Sequence, residues 1–117
     1  MTLQDEQQRV CEQAGLPFLA APQDSKVGIA RNVREGLFPI HGMRHRPRGD
    51  ATGWYLWAGD VLSEEPDFFQ PLHVAHLASW RPMVLKYLGL APGARFLLAD
   101  GYEDIWFDES LLTEDVA

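Results

Sequence analysis

Four histidines are the side chains of this sequence best suited to bind a metal ion. His73 and His76 lie three positions apart in a segment predicted to be helical, so they share one face, and His41 and His45 lie four apart in a loop. Neither pair has the glutamate of a zinc-protease motif. We therefore predict no metal site and interpret the histidines as capping or core residues. A metal-dependent enzyme that uses His41, His73 and His76 with Asp104 is a competing hypothesis, which predicts stoichiometric metal in the purified protein.

Nucleophilic side chains are few, and none lies in a recognisable catalytic motif. Cys11 falls on a predicted helix with Arg9 as its only basic neighbour, which favours a structural thiol over a reactive one. The serines and threonines form no nucleophile elbow, and the glycines are scattered singly rather than grouped in a phosphate-binding loop. We therefore predict no catalytic residue, no cofactor and no enzymatic activity.

Basic side chains concentrate in one segment of the chain. Residues 26–48 hold six lysines and arginines against one acidic side chain, whereas residues 50–117 hold three basic side chains against twelve acidic ones. One alternative function is therefore a small-molecule or anion-binding module. Its predicted binding residues are Arg31, Arg34, Arg44 and His73. Added phosphate or nucleotide should then raise the melting temperature, because a ligand that binds only the native state stabilises it.

Aromatic and acidic side chains interleave towards the C-terminal end. Tryptophan and tyrosine are favoured at binding hot spots, and carboxylates around them suit a basic protein partner, although a solvated face explains the carboxylates equally well. The predicted partner-binding residues are Tyr102, Glu103, Asp104, Trp106 and Asp108, with Trp54 and Trp57 as supports. Alternation along their strand sends Trp54 and Trp57 to opposite faces, one covered by helix and the other open to a partner.

Size and composition limit the classes of protein that this chain can represent. With 117 residues, 46% hydrophobic and 23% charged, it fits a single folded domain. The formal net charge of −7 argues against general nucleic-acid binding, which requires a dominant basic face. No apolar run approaches the roughly 20 residues of a membrane span, and the N-terminus does not resemble a signal peptide. The single cysteine fits a reducing compartment, so we expect a cytoplasmic protein without membrane contact.

The first half of the chain contains signals for one helix and two strands. Residues 3–14 are predicted to be helical, with Thr2 as the N-cap. A connector leads to a strand near residues 26–31, and an aromatic run predicts a second strand at residues 54–58. Between them, the prolines and glycines of residues 34–53 predict a basic loop with room for a short strand.

The second half contains signals for helix and for a hairpin. Apolar spacing indicates a helix at residues 72–80, and residues 82–89 form a second helical stretch between a proline and a glycine. Residues 95–99 and 104–108 are predicted strands joined through Gly101. The predicted fold class is α+β, a small antiparallel sheet with the N-terminal helix and the mid-chain helical segment packed on it.

Three long stretches of sequence carry a family resemblance. The most specific are GWYLWAGD, PLHVAHL followed by WRPMVLKYLGLAPG, and GYEDIWFDESLL. Through them, residues 26–112 resemble the bacterial immunity protein 33 family of polymorphic toxin systems. The resemblance implies a protein that binds and neutralises a cognate toxin by occlusion, and it carries over no catalytic residue. We accordingly divide a single domain into residues 1–25 (helix and connector), residues 26–112 (immunity-protein-like α+β domain) and residues 113–117 (a frayed acidic tail).

Overall fold

The chain folds into a six-stranded sheet with one three-turn helix packed on it, and a computed structural model describes residues 1–113. The strands are β1 (Lys26–Ala30), β2 (Ile40–Arg44), β3 (Ala51–Ala58), β4 (Phe69–His73), β5 (Ala94–Ala99) and β6 (Tyr102–Phe107). The helices are α1 (Leu3–Ala14) and the single turn α2 (Ser110–Thr113), with 3₁₀ helices η1 (Arg31–Val33), η2 (Val74–Ser79) and η3 (Pro82–Tyr87). Beyond Thr113, the predicted acidic tail lies outside the described residues.

Helix α1 begins and ends where the sequence signals placed it. The Asp5 N–H donates to the Thr2 hydroxyl and the Thr2 N–H donates to the Asp5 carboxylate, both at 3.1 Å, which forms a capping box. Gly15 ends the helix with a φ of +70°, a conformation that glycine adopts without a Cβ clash. Val10 and Cys11 face the core, and burial raises the pKa of the Cys11 thiol, in agreement with a structural role.

The sheet is mixed, with the strand order β4-β1-β3-β2-β5-β6. The expectation of an antiparallel sheet is wrong for one pair, because β1 and β3 run parallel. After β1 the chain continues through η1 to β2 and then returns as β3. Strand β3 lies between β1 and β2, parallel to β1 and antiparallel to β2. The coarser prediction of an α+β fold is compatible with this arrangement, although sheet dominates it.

Strand β2 corrects the prediction that residues 34–53 form mainly a loop. It is a central strand that pairs with both β3 and β5. A Cβ at Gly42 would overlap the Phe96 ring of β5, so the glycine that weakened the strand signal is the residue that admits this ring.

The mid-chain helical segment is also different from the one predicted. Residues 69–73 form an edge strand, and the rest of the segment forms the 3₁₀ helices η2 and η3. Arg81 precedes Pro82 and has a φ of −158° and a ψ of 82°, outside the helical region, because a residue before proline is disfavoured in helical conformation. The six residues of η2 are too few to nucleate a stable α-helix before that break, and 3₁₀ geometry is common in such short pieces.

The two faces of the sheet have different coverings. Helices α1, η2 and η3 pack on one face, which we call the inner face, and close the hydrophobic core. Its main contributors are Val27, Ile29, Ile40, Trp54, Leu56, Phe96 and Leu98 from the sheet and Val10, Leu77 and Val84 from the helices. The opposite, outer face carries Tyr55 and Trp57. None of the helices within residues 1–113 combines the length and apolar character needed to span a membrane.

Candidate functional site

The β5–β6 hairpin carries the predicted partner-binding residues 102–108 at an edge of the sheet. Strand β6 is last in the sheet order, so one side of it has no neighbouring strand among residues 1–113. Gly101 lies in the connecting turn with a φ of +73°, and the predicted hairpin is confirmed, although its second strand begins at Tyr102 and not at residue 104 as predicted. The Asp108 N–H donates to the Gly93 carbonyl at 2.7 Å, which determines which residues of β6 form hydrogen bonds with β5. Even-numbered residues of β6 therefore pair with β5, and the N–H and C=O groups of residues 103, 105 and 107 point away from it.

Alternation along β6 divides its side chains between the two faces of the sheet. Tyr102 and Trp106 share the outer face with Asp104 and are 51% and 38% exposed. On the inner side, Phe107 is 49% exposed beyond the edge of the core, whereas Ile105 packs against the core. We call the exposed members of both groups the hairpin surface: Tyr102, Glu103, Asp104, Trp106 and Phe107. It presents three aromatic rings and two carboxylates on one strand.

An ion pair supports Trp106 from the neighbouring strand. Arg95 lies opposite Trp106 in the register, and its guanidinium lies 5.7 Å from the centre of the indole ring. The same guanidinium donates to the Asp108 carboxylate at 3.0 Å. Hydrogen bonds from Ser110 and Arg95 hold the pKa of Asp108 below its usual range. The Asp108 carboxylate is therefore engaged by Arg95 and Ser110 within the fold. It helps to position the hairpin surface and is not itself one of the exposed contact residues.

Glu103 is held by a hydrogen bond from beneath the hairpin. The Tyr87 hydroxyl of η3 donates to the Glu103 carboxylate, and the Tyr87 ring stacks on Phe96 at 5.0 Å. Burial, and then the hydrogen bond to Glu103, raise the pKa of the Tyr87 hydroxyl above its ordinary value. Tyr87 therefore remains a donor throughout the usual pH range and fixes the Glu103 side chain.

The structure places Trp54 and Trp57 away from the hairpin surface. Trp54 is 1% exposed and donates its indole N–H to the Leu88 carbonyl at 2.9 Å, so it belongs to the core. Trp57 lies on the outer face but is only 4% exposed, because it stacks on His41 at 4.8 Å and meets the edge of Phe69. Both indoles thus stabilise the sheet from within and are not available to touch a partner directly.

The structure contradicts the predicted role of Arg44 in anion binding. It is 1% exposed and points into the inner face, where its guanidinium donates to five main-chain carbonyls. The acceptors are Leu19 at 2.7 Å, Leu90 at 2.8 Å, Thr52 at 2.9 Å, and Leu88 and Ala20 at 3.2 Å. Burial lowers the pKa of the Arg44 guanidinium to about 10. Because its donors are already occupied inside the core, Arg44 cannot receive an anion from solvent.

The other predicted anion-binding residues are only partly brought together. Arg31 and Arg34 line one surface cleft of about 570 Å³, where the Arg34 guanidinium lies 5.3 Å from the centre of the Trp80 ring. Glu35 lines the same cleft and opposes its positive charge. His73 lies elsewhere, on β4, opposite Lys26 of β1. The predicted four-residue anion site is therefore wrong as a unit, and only the Arg31–Arg34 pair shares a site.

The residues of the metal hypothesis do not converge. His41 lies on β2 with its Nε2 atom 2.9 Å from the Gly59 carbonyl oxygen, and two strands separate it from His73 on β4. His73 and His76 have ring centres 5.9 Å apart, and Asp104 lies on β6 at the far edge. Over the described part of the chain, no group of three or more histidine, cysteine, aspartate or glutamate side chains is placed to hold a metal ion.

Two residues of this site were not among the predicted partner-binding residues. Phe107 is an exposed member of the hairpin surface, and Arg95 supports Trp106 through the neighbouring strand. Strict alternation from Trp106 could have placed Phe107 on the opposite side of β6. The pairing of Arg95 with Trp106 follows from the register, which the Asp100–Gly101 turn sets but which side-chain types alone do not reveal.

Comparison with known protein families identified a match. A family model described as an Imm33-like domain matches residues 6–108, which include most of α1, all six strands and the whole hairpin surface. No curated protein and no solved structure matched the chain.

Proposed function

The chain belongs to the Imm33-like family, and from this premise we propose that it binds a bacterial protein toxin and neutralises it by occlusion, without catalysing a reaction. The observation that carries the proposal is the hairpin surface, where exposed aromatic rings and carboxylates line both faces of one edge strand. Aromatic anchors in a polar surround are the usual composition of a protein-binding hot spot.

The charge of the chain supports a basic partner. The net charge is −7, and the hairpin surface with its flanks carries Asp100, Glu103, Asp104 and Glu109. Complementary charge accelerates encounter and favours one partner over others more than it raises affinity. A nuclease, whose active site must attract phosphates and is therefore basic, is the toxin class that this charge fits best. We place the neutralisation in the cytoplasm, where the single buried cysteine stays reduced.

The supporting contacts favour a surface that is ready to bind. Tyr87 holds Glu103, and Arg95 holds both Asp108 and the Trp106 ring, so these groups are already oriented by the fold. Side chains that are ordered before binding lose less conformational entropy when a complex forms. The hairpin surface is therefore suited to occlude a toxin active site without rearrangement.

Co-expression tests the proposal. The tagged chain is expressed with the product of each neighbouring reading frame, and co-purification and growth are measured. A stable complex that restores growth is the expected result. Failure of every neighbouring product to co-purify, together with no rescue of growth, contradicts neutralisation of those products.

Point variants then locate the contact. Tyr102→Ala and Trp106→Ala should each weaken the complex by about 30-fold or more, the usual loss at an aromatic hot spot. Val61→Ala and Met83→Ala are matched controls, because both side chains are exposed and lie outside the hairpin surface. Equal losses in all four variants, or none in the first pair, contradict the assignment of the hairpin surface.

A second candidate function uses the Arg31–Arg34 cleft. Arg31 and Arg34 line one cleft with Trp80, an arrangement that suits a small anion such as a phosphate group despite the opposing Glu35. Phosphate or a nucleotide should then raise the melting temperature of the wild type and not of Arg31→Ala. An equal shift in both proteins contradicts this function.

A further inference from the structure

We propose that β6 is a docking edge, to which an extended, lysine- or arginine-bearing segment of the partner adds as a seventh strand of the sheet. The inference rests on the proposed function for the identity of the partner, and it adds the mode of binding and the chemistry of the bound segment. Strand addition to a free sheet edge gives affinity through main-chain hydrogen bonds and specificity through alternate side chains.

The two edges of the sheet are built differently. The Val74 N–H donates to the Ser25 carbonyl at 2.9 Å, and this bond places residues 69, 71 and 73 on the free side of β4. Pro71 therefore occupies the central outward position of β4 and removes its N–H donor, a common protection of sheet edges. Strand β6 contains no proline between Tyr102 and Phe107. Of the two edges, β6 is the one able to accept a strand.

The backbone of β6 offers a regular pattern to an added strand. Residues Glu103, Ile105 and Phe107 turn their N–H and C=O groups outwards, as the Asp108–Gly93 bond requires. A strand of six residues spans roughly 20 Å, so a partner segment of similar length pairs with all three. The edge is long enough for specific pairing and has no partner strand within the described chain.

The side chains beside this edge select a basic segment. On the outer face, Asp104 lies between Tyr102 and Trp106, so a lysine or arginine on the added strand meets one carboxylate with an aromatic ring on either side. On the inner face, Glu103 offers a second carboxylate. No ion pair joins Glu103 or Asp104 to a basic side chain within residues 1–113. Glu103 accepts a hydrogen bond from the uncharged Tyr87 hydroxyl, so both negative charges remain available to a basic partner.

The same carboxylates disfavour a second copy of this chain as the occupant. Pairing of two β6 edges would bring two sets of Glu103 and Asp104 to one seam, and like charges across paired strands are destabilising. A basic segment neutralises them instead. The carboxylates therefore act against self-association and in favour of a basic partner.

Amide exchange on the full chain tests the docking edge directly. The probe is a blocked synthetic peptide of about ten residues that alternates lysine and valine, and the control peptide alternates glutamate and valine. At a lysine peptide concentration about ten times its Kd, exchange at the amides of residues 103, 105 and 107 should slow about tenfold. The amides of residues 102, 104 and 106 are already paired with β5 and should change little. Unchanged exchange at the three outward amides, or equal protection by the glutamate peptide, overturns the inference.

Paired variants distinguish the contribution of main-chain hydrogen bonds to peptide binding from the contribution of side-chain charge. Glu103→Pro removes an outward N–H while Glu103→Ala keeps it, so the proline variant should bind the lysine peptide about three- to tenfold more weakly than the alanine variant. Asp104→Asn should weaken binding about two- to fivefold, and Glu64→Gln, exposed in the loop before β4, should not. Equal affinities of the proline and alanine variants, with both still folded, contradict strand addition.

The toxin complex distinguishes failure of this inference from failure of the proposed function. If a toxin is neutralised but the outward amides exchange at the same rate in the complex, the docking edge is wrong and the function stands. If no neighbouring product is neutralised but the lysine peptide protects these amides, the function fails for those products and the docking edge stands.

Discussion

Replacing Arg44 by methionine removes a buried cation that joins three parts of the chain. Its guanidinium bonds Thr52 of β3, Leu88 and Leu90 after η3, and the connector that follows α1. Within the described residues no carboxylate is among its hydrogen-bond partners, and the Trp54 ring lies 5.6 Å away. Methionine fills similar space but donates no hydrogen bond.

Two effects oppose each other in Arg44→Met. The Thr52 and Leu90 carbonyls lose their guanidinium donor, at a cost of about 1–3 kcal/mol for each acceptor left unsatisfied in the core. Leu88 retains the Trp54 indole as a donor. Methionine has no charge to desolvate, so removal of the buried guanidinium offsets part of this loss of stability. Because the carbonyls belong to the main chain and remain buried, we expect the first effect to dominate, with a net loss of about 3 kcal/mol from a typical total of 5–15 kcal/mol.

Urea unfolding followed by tryptophan fluorescence measures this loss. At a slope of about 1.5 kcal/mol/M, the midpoint of Arg44→Met should fall by about 2 M. Arg46→Met is the control, because Arg46 is exposed and donates to the Leu112 carbonyl at 3.0 Å from the surface, so its midpoint should fall much less. The pKa of Arg44 is about 10 in the folded state, so the residue is charged in both states and the difference should be flat from pH 5 to 8. Equal midpoints for the two variants would refute the reasoning.

Three further predictions concern other contacts. Gly42→Ala should lower the melting temperature, because its new Cβ overlaps the Phe96 ring, and overpacked cores typically lose about 1–3 kcal/mol. Thr2→Ala should cost about 1 kcal/mol through loss of the helix cap, visible as a lower urea midpoint, whereas Thr2→Ser should retain it. The folded pKa of Asp108 is lowered, so its stabilisation is present above the unfolded pKa and is lost as pH falls through the folded value. The difference in melting temperature between wild type and Asp108→Asn should therefore shrink as pH falls from about 6 to 3, and a constant difference contradicts this assignment.

Local signals in the sequence were sufficient for α1 and for the β5–β6 hairpin. The cap at Thr2, the stop at Gly15 and the turn at Gly101 act over a few residues, so their effect is readable without knowledge of the fold. The acidic and aromatic residues of β6 were named as candidates from their side-chain types and their nearness in the sequence, although Tyr102 and Glu103 were predicted to precede the strand and not to belong to it. Whether they contact a partner stays a prediction.

Tertiary structure alone decided the identity of β2, the parallel pairing of β1 and β3, and the place of Arg44. Ile40–Arg44 has weak strand propensity, and it becomes a strand because β3 and β5 supply hydrogen bonds on both sides and Phe96 covers Gly42. Arg44 lies in a basic run that suggests a surface, yet alternation along β2 turns it inwards, where carbonyls from distant segments satisfy its donors. Sequence patterns report propensity and short-range geometry, whereas a buried cation and a central strand also depend on partners 40 or more residues away, as Leu88 and Leu90 are from Arg44.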